Sequence, residues 1–325
     1  MKKIAVFLTA LSVTATTWAW QPSKPVEAVI GFGPGSGNEI VFRMVADQVE
    51  RVTGAKFVVN PRPGAGGVVG TEYFIKQPND GHHLLVSSVG GTFALDRIAV
   101  PDRALPYGID SFQYAVALAS TPFVIVAHPA DPVNTPRELV DVLRREPTSF
   151  AASGGARMVY ESLMLAHRIP EGARNVERIE HKGPTFAIND VAGRHVRFAV
   201  VPILVAAPMI NDGRLKIIAH SGRGTIKQFP RAANLESIMP GFSAPAVWGI
   251  LLPRGTPDAT VQWYVREFGR ALREPGVQAL FEQNFLEIVP EALTSRAFED
   301  YARREASIRQ PVVDRVLEAL RKPAR

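Results

Sequence analysis

The chain has 325 residues, of which 46% are hydrophobic and 21% are charged, and it contains no cysteine. This composition is typical of a globular protein and excludes a collagen-like, coiled-coil or disordered chain, a disulfide framework and any site built on thiolates. The net charge of +6 is modest, and the chain has no lysine/arginine block of the kind that binds nucleic acid, so we expect no nucleic-acid partner.

The first 19 residues have the pattern of an export signal. Lys2 and Lys3 precede an apolar run over residues 4–13, and small residues lead to Ala19, which is the order found in secretory signals. The run is too short to span a membrane as an anchor. We therefore expect cleavage near Ala19 and a mature protein that diffuses in the periplasm, with no lipid anchor because no cysteine is available.

The next part of the chain alternates β-branched runs with amphipathic stretches. Apolar residues recur at Ile40, Met44, Val45, Val49 and Val52 with a period near 3.6, which predicts a helix with one buried face. Such alternation is typical of a parallel sheet covered by helices. The predicted strands are residues 26–32, 56–60 and 84–87, and the predicted helices are residues 40–52 and 68–77.

The same alternation starts again at Phe123 and predicts a second α/β unit. Thr135 and Glu138 have the spacing of a capping box, and Gly193 and Gly213 stand where helices should end. The predicted strands are residues 123–127, 149–152, 176–179, 196–201 and 215–220, and the predicted helices begin at Pro136, Arg157, Pro184 and Ile203.

The last part of the chain returns to the first unit. An apolar run over residues 246–252 is followed by a helix predicted from Asp258 to about Arg273, which Pro275 ends, and by a charged helical tail from Thr294. We expect residues 20–120 with 245–325 to form one discontinuous domain and residues 121–244 to form the other, after a signal peptide over residues 1–19.

Glycine-rich turns stand at four predicted strand-to-helix junctions, over residues 32–39, 62–67, 152–156 and 182–185. Free N–H groups at a helix start carry partial positive charge and bind anions, although each turn alone is also explained as a tight connection. Asn38 and Val69 stand where a dinucleotide fingerprint needs its third glycine. We therefore expect an anion site between the units and no cofactor.

Ser153 keeps a hydrolase open as an alternative. It lies on a sharp turn that approximates a nucleophile elbow, with alanine in place of the first glycine. His82 and His83 are adjacent on a predicted strand and would face opposite sides, and no H-E-x-x-H motif is present, so we expect no metal site.

Several segments together resemble the periplasmic solute-binding proteins of tripartite tricarboxylate transporters, the Bug or TctC-like family. The most specific is Asn60-Pro61-Arg62-Pro63-Gly64-Ala65-Gly66-Gly67. The other segments occur in the same order as in the family and are residues 21–26, 32–38, 80–85, 121–129, 181–183 and 248–257. The resemblance implies an α/β, two-domain type II periplasmic-binding-protein fold with a hinge and an interdomain ligand cleft. It also implies a binding protein, not an enzyme.

The resemblance also implies where the ligand lies. Family members bind one carboxylate of the ligand with the first two loops, and the second domain binds the other end of the ligand. Family members commonly have an aspartate where this chain has Val201, which makes an amino acid a poorer candidate and leaves Val201, Pro202 and Phe93 as apolar wall residues. The residues expected at the ligand are Phe32, Gly33, Pro34, Gly35, Ser36, Gly37, Asn38, Gly64, Ala65, Gly66, Gly67, Ser88, Thr92, Ser153, Gly154, Gly155, Lys182, Gly183 and Val201.

The expected function is capture of a small organic acid and its delivery to membrane permease subunits. A dicarboxylate, a tricarboxylate and an aromatic acid would all fit the first two loops, so the sequence leaves the choice among them open. The protein is expected to be a monomer. Two alternatives stay open: a secreted serine hydrolase that uses Ser153, and a ligand-binding sensor subunit for a receptor kinase.

Overall fold

The strands form two separate mixed sheets. The computed structural model describes residues 20–89, 92–152, 154–169 and 176–321. Within these ranges the first sheet consists of β1 (Val26–Ile30), β2 (Phe57–Pro61), β3 (His83–Ser88), β4 (Phe112–Thr121) and β10 (Ala246–Pro253), and the second of β5 (Phe123–Ala127), β6 (Thr148–Ala152), β7 (Val176–Ile179), β8 (Phe198–Pro202) and β9 (Lys216–His220). Their orders are β2-β1-β3-β10-β4 and β7-β6-β8-β5-β9.

Helices cover both sheets, as the α/β prediction requires. We call the first sheet and its helices lobe 1, and the second sheet and its helices lobe 2. Lobe 1 has α1 (Gly37–Thr53), α2 (Val68–Phe74), α3 (Thr92–Ala99), α8 (Asp258–Ala271), α9 (Pro275–Gln283) and α10 (Ser295–Arg321), and lobe 2 has α4 (Pro136–Arg145), α5 (Ala156–Ala166), α6 (Pro184–Ala192) and α7 (Ile203–Asn211).

Helix α1 shows how the sequence positions the site. Its buried face is formed by Val41, Phe42, Val45 and Val49, one stripe that packs on the sheet because these positions repeat near 3.6 residues. Val52, which the pattern placed on the same stripe, is 44% exposed. The helix begins three residues before the predicted start, so its first turn is part of the glycine-rich loop.

Terminal signals of other helices are confirmed. The Thr135 side chain accepts a hydrogen bond from the Glu138 N–H, and both halves of the capping box are present at the start of α4. Proline behaves differently at 275: it does not end α8, which stops at Ala271, but is the first residue of α9. Proline suits that position because the first helical N–H has no partner within the helix.

Three elements of lobe 1 escaped the sequence prediction. They are α3 and β4, which lie between β3 and the second unit, and α9, which begins at Pro275. Strand β4 carries apolar residues on both faces: Tyr114 and Ala117 belong to one buried apolar cluster, and Val116 and Leu118 belong to another. It therefore lacks the alternation of polar and apolar residues by which a half-exposed strand is recognised.

The lobes are joined by two connections. The first is a single residue, Pro122, between β4 and β5, and the second is the segment 221–245 between β9 and β10. Ser120 beside the first connection exchanges backbone hydrogen bonds of 2.7 and 2.9 Å with Glu287 of lobe 1. A connection as short as Pro122 is a place where two lobes can rotate against each other.

The C-terminal helix α10 packs against both lobes. Val313, Val316 and Leu317 form an apolar cluster with Leu95 and Ile98 of α3 and with Met158 of α5. Among the residues that the structure describes, no helix combines the length and the apolar character needed to cross a membrane.

Candidate functional site

A small cavity lies between the lobes, where the helix starts of both sheets meet. Its volume is about 30 Å³. Lobe 1 contributes one side of the lining and lobe 2 the other, as expected for a ligand site at the carboxyl ends of strands. The lining residues are Phe32, Ser36, Gly37, Asn38, Ser88 and Trp248 from lobe 1, and Phe123, Gly155, Ala156, Pro184, Val200 and Pro202 from lobe 2.

The start of α1 supplies hydrogen-bond donors to this cavity. Three earlier N–H groups of the loop are already used. Gly33 N–H donates to the Lys182 carbonyl at 3.1 Å, Gly35 N–H to the Glu39 carboxylate at 3.0 Å, and Ser36 N–H to the Gly33 carbonyl at 3.3 Å. Gly37 and Asn38 follow as the first residues of a helix of 17 residues. First-turn N–H groups have no acceptor within the helix and carry the positive end of its dipole.

The hydroxyl of Ser36 is the least expected feature of the lining. Ser36 is the N-cap of α1, yet its side chain makes no cap hydrogen bond. It is 1% exposed, and its Oγ has no hydrogen-bond partner among the described residues. Leaving a buried hydroxyl unpaired costs about 1–3 kcal/mol, so this oxygen is a polar group that a ligand would satisfy.

Trp248 of β10 forms the floor beneath the start of α1. A Cβ at Gly37 would lie 2.6 Å from Trp248 Cζ2, so only glycine lets the indole reach this place. Asn38 is held from the other side, because its Nδ2 donates to the Val86 carbonyl at 3.0 Å. The polar end of the cavity is therefore held in place by α1 and by the paired strands β3 and β10, all of lobe 1.

Lobe 2 contributes mainly apolar surface. Val200 and Pro202 of β8 line the cavity, whereas Val201 between them is buried without lining it. Successive residues of a strand face opposite sides, so Val200 shares a face with Pro202 and Val201 does not. The period-two rule, applied to the predicted strand, would have selected Val200.

The lobes touch directly around the cavity. Thr185 Oγ1 donates to the Gly35 carbonyl at 3.3 Å, next to the bond between Gly33 and Lys182. The ring of Phe32 lies against lobe 2 so closely that a Cβ at Gly154, whose φ is +52°, would be 2.5 Å from its Cζ. These contacts describe a closed cleft.

The second glycine-rich loop lies beside the cavity and does not line it. Residues Ala65–Gly67 form a 3₁₀ turn, and the position of a Cβ at Gly67 is 3.6 Å from the Phe32 ring. Gly66 borders a separate gap of about 10 Å³ that Asp96, Arg157 and Glu180 also line. Phe32 thus separates this gap from the main cavity.

The gap contains buried charged groups. Burial raises the pKa of Asp96 to about 7, partly offset by a hydrogen bond of 2.6 Å from the Tyr107 hydroxyl. Arg157 pairs with Glu161 at 2.8 Å, and both are buried. Burial also raises the pKa of Glu180, against the opposing effects of Arg178 and Arg157.

The structure places the predicted ligand residues in three groups. Phe32, Ser36, Gly37, Asn38, Ser88 and Gly155 line the cavity. Gly33, Gly35, Gly154 and Gly183 lie at the contact between the lobes, Gly64, Ala65, Gly66 and Gly67 form the neighbouring loop, Pro34 and Lys182 are exposed, and Val201 is buried in β8. Ser153, the Thr92 and Phe93 side chains and the predicted signal peptide lie outside the described residues.

Five lining residues were not among the ligand or wall residues expected from the sequence. They are Phe123, Ala156, Pro184, Val200 and Trp248. Trp248 and Phe123 belong to continuous apolar strands, which look the same whether they pack in a core or border a cleft. Only the pairing of β10 with β3 brings Trp248 opposite Ser88.

A larger groove of about 670 Å³ runs along the connections between the lobes. Thr121, Pro122 and Phe285 are among its lining residues, and an ion pair of 2.6 Å between Lys227 and Glu282 lies at its edge. This groove lies at the hinge. Its described lining includes one buried hydroxyl oxygen without a hydrogen-bond partner, Ser243 Oγ, but none of the first three residues of an α-helix, whose N–H groups would be free for a ligand. The interlobe cavity is therefore the better candidate site.

Comparison with known families decides the assignment of the chain. Residues 41–313 match the family described as the tripartite tricarboxylate transporter family receptor, TctC. The chain belongs to the TctC family. The predicted resemblance is thereby confirmed, and the family and fold are those of solute-binding proteins.

Relatives and solved structures agree with the TctC assignment. A UPF0065 protein from Pseudomonas sp. strain P51 is 27% identical over 86% of this chain and 83% of its own length. The periplasmic binding protein BugD superposes with a TM-score of 0.81 at 22% identity, over 91% of this chain and 98% of that chain. MatC from Rhodopseudomonas palustris, solved with bound malate, superposes with a TM-score of 0.81 at 20% identity, over 90% of this chain and 100% of that chain. The two-domain periplasmic-binding fold is confirmed.

Proposed function

We propose that this TctC-family protein captures a small organic carboxylate between its lobes and delivers it to the membrane permease subunits of a tripartite transporter. The observation that carries the proposal is the polar end of the cavity. There the unpaired hydroxyl of Ser36 meets the first turn of α1. Hydrogen bonds to a carboxylate are about twice as strong as neutral ones.

The closed arrangement supports capture by hinge movement. The bond between Gly33 and Lys182 and the packing of Phe32 on Gly154 join lobes that are otherwise connected at the hinge. Opening the lobes would break these contacts and expose Ser36 to solvent. Ligand bound to both walls would stabilise the closed form through its differential affinity. The bound malate of MatC is consistent with a carboxylate in this fold.

The proposal includes the location and organisation of the chain. We propose cleavage near Ala19, export to the periplasm, a discontinuous domain of residues 20–120 with 245–325 and a second domain of residues 121–244. The strands of the two sheets are distributed in agreement with this division. Binding without chemical change is the proposed activity, and Ser153 has no catalytic part in it.

A thermal-shift screen of carboxylic acids tests binding. A ligand at 100 times its dissociation constant should raise the free energy of unfolding by about 2.7 kcal/mol. The proposal predicts a higher melting temperature with at least one acid and none with the corresponding amide. Stabilisation by sugars or amines but by no acid would contradict it.

An uptake assay tests delivery against the sensor alternative. Cells that lack this protein should lose uptake of the labelled acid and regain it when the full chain is restored. Normal uptake together with loss of acid-dependent gene expression would instead support the sensor. Hydrolysis of generic esters that disappears in Ser153→Ala would support the hydrolase.

A further inference from the structure

The interlobe cavity is polar at one end and apolar elsewhere. Ser36, Asn38 and the first turn of α1 form the polar end, and the rest of the wall consists largely of apolar and aromatic side chains. We infer that the ligand is a monocarboxylate whose remaining part is short, uncharged and apolar. This inference rests on the proposed function, because it takes the cleft to be the carboxylate site.

No charged side chain belongs to the described lining of the cavity. A second carboxylate at the far end would therefore be buried without a cationic partner. Burying an unpaired charge is far more costly than burying a polar group.

The cations nearest to the lobe 2 side already have acidic partners. Arg157 is paired with Glu161 at 2.8 Å, and Arg178 is paired with Glu180 at 2.9 Å. Lys182 is exposed and reaches lobe 1 through its backbone carbonyl, not through its ammonium group. A second carboxylate would have to compete with these acids for a cation that does not line the cavity.

The start of α5 offers few donors for a second carboxylate. Gly155 and Ala156 line the cavity there, but the next two N–H groups, those of Arg157 and Met158, donate back to the carbonyls of Gly154 and Gly155 at 3.0 and 3.2 Å. The two ends of the cleft are therefore unequal. The end at α1 has the unpaired hydroxyl and the longer helix, and the end at α5 does not.

The far wall suits methyl and methylene groups. Val200 and Pro202 of β8 and the ring of Phe123 are all part of it. The free space of about 30 Å³ is enough for roughly two water molecules, which favours a short tail in the closed form. Replacing such confined water by an apolar group is favourable.

Matched pairs of acids test the inference by isothermal titration calorimetry on the purified protein. The pairs are propionate with malonate, butyrate with succinate, and benzoate with terephthalate, and each pair differs by one carboxylate. The monocarboxylate of the tightest-binding pair should bind at least tenfold more tightly than its partner. Equal or tighter binding of the dicarboxylate overturns this inference and leaves the proposed function intact. No binding by any acid overturns both.

Adjacent valines of β8 provide matched variants. Val200→Thr places a hydroxyl in the wall at nearly constant volume and should weaken butyrate binding about tenfold. Val201→Thr makes the same change one residue away, where the side chain does not line the cavity, and should leave butyrate affinity unchanged. Melting curves of both variants show whether each is folded. Equal losses in the two variants, or no loss in Val200→Thr, would overturn the apolar wall.

Lys182→Gln tests the remaining cation. The inference predicts the same ratio of butyrate to succinate affinity in the variant and in the parent protein. A selective loss of succinate affinity would show that Lys182 holds a second carboxylate, and the inference would then be wrong.

Discussion

The two glycine-rich loops of lobe 1 look alike in sequence and serve different purposes in the structure. The first loop leads into α1, and its last residues, Ser36 and Gly37, line the interlobe cavity. The second loop forms a short 3₁₀ turn before α2, a helix of seven residues. Gly64 and Gly67 lie against Val69, Phe32 and Gly31 of the same lobe, whereas Gly66 faces Ala99 and, across the lobe contact, Glu180 and Gly154.

The difference shows that glycine at a strand-to-helix turn has two separate physical uses. At Gly37 the missing Cβ makes room for Trp248 beneath a long helix whose N–H groups face the cleft. At Gly64, Gly66 and Gly67 positive φ angles let the chain turn sharply, a conformation that other residues adopt only with strain. Donors for a ligand therefore depend on the helix that follows a turn, not on the number of glycines in it.

Substituting one glycine from each loop should give the largest effect. In Gly37→Ala the new Cβ would meet Trp248 at 2.6 Å, which would displace the indole into the cavity and lower carboxylate affinity about 100-fold. In Gly66→Ala the contacts are ordinary, but a φ of +65° should lower the free energy of unfolding by about 1 kcal/mol. Calorimetric titration and melting curves measure both changes. Similar affinity losses in the two variants would remove the distinction between the loops.

Blocking closure should have the next largest effect. Gly154→Ala places a Cβ 2.5 Å from Phe32 and should lower affinity about 30-fold, because the lobes would be unable to meet. Gly213→Ala is the control, since Gly213 also has a positive φ of +69° but has nothing within 4 Å of its Cβ position. Small-angle scattering with saturating ligand should show an open form for Gly154→Ala alone. Full closure of that variant would contradict the role of this contact.

Two N-caps provide a smaller and sharper test. Ser36→Ala removes the unpaired hydroxyl of α1 and should weaken carboxylate binding about tenfold with little loss of stability. Thr135→Ala removes a hydroxyl that does cap its helix, and should lower the free energy of unfolding by about 1 kcal/mol without changing affinity. The reverse pattern would mean that Ser36 is an ordinary cap.

The surroundings of the second loop should respond to pH in stability and not in binding. The pKa of Asp96 is raised by burial from 3.8 to about 7. The folded protein then holds a proton that the unfolded chain has released, so the stability that Asp96 contributes is greatest below about pH 4 and falls as the pH rises to about 7. The melting temperature of Asp96→Asn, measured relative to that of the parent protein, should therefore increase as the pH is raised from 5 to 8. A constant difference over this range would contradict the raised pKa.

Much of the fold could be predicted from local patterns. The capping box at Thr135 and the apolar period of α1 depend on residues a few positions apart, and both are found in the structure. Strand β4 was missed because a strand buried on both faces shows no alternation of polar and apolar residues. The role of Pro275 was misread, because proline both stops one helix and starts another.

The site was harder to predict than the fold. The first turn of α1 was found because a helix start after glycines is visible in sequence. Trp248 and Phe123 were missed because their places depend on pairing with distant strands: Trp248 lies opposite Ser88 and Phe123 lies opposite Pro202. Val201 was chosen over Val200 because the family comparison pointed to a position, whereas the alternation of β8 decides which side chain faces the cleft.

A crystal structure of the protein with its tightest-binding monocarboxylate is the most direct test of the proposed site. We expect carboxylate oxygens about 3 Å from Ser36 Oγ and from the N–H groups of Gly37 and Asn38, with the apolar part of the ligand against Val200. A carboxylate held by the second glycine loop, by Lys182 or in the groove at the hinge would contradict it.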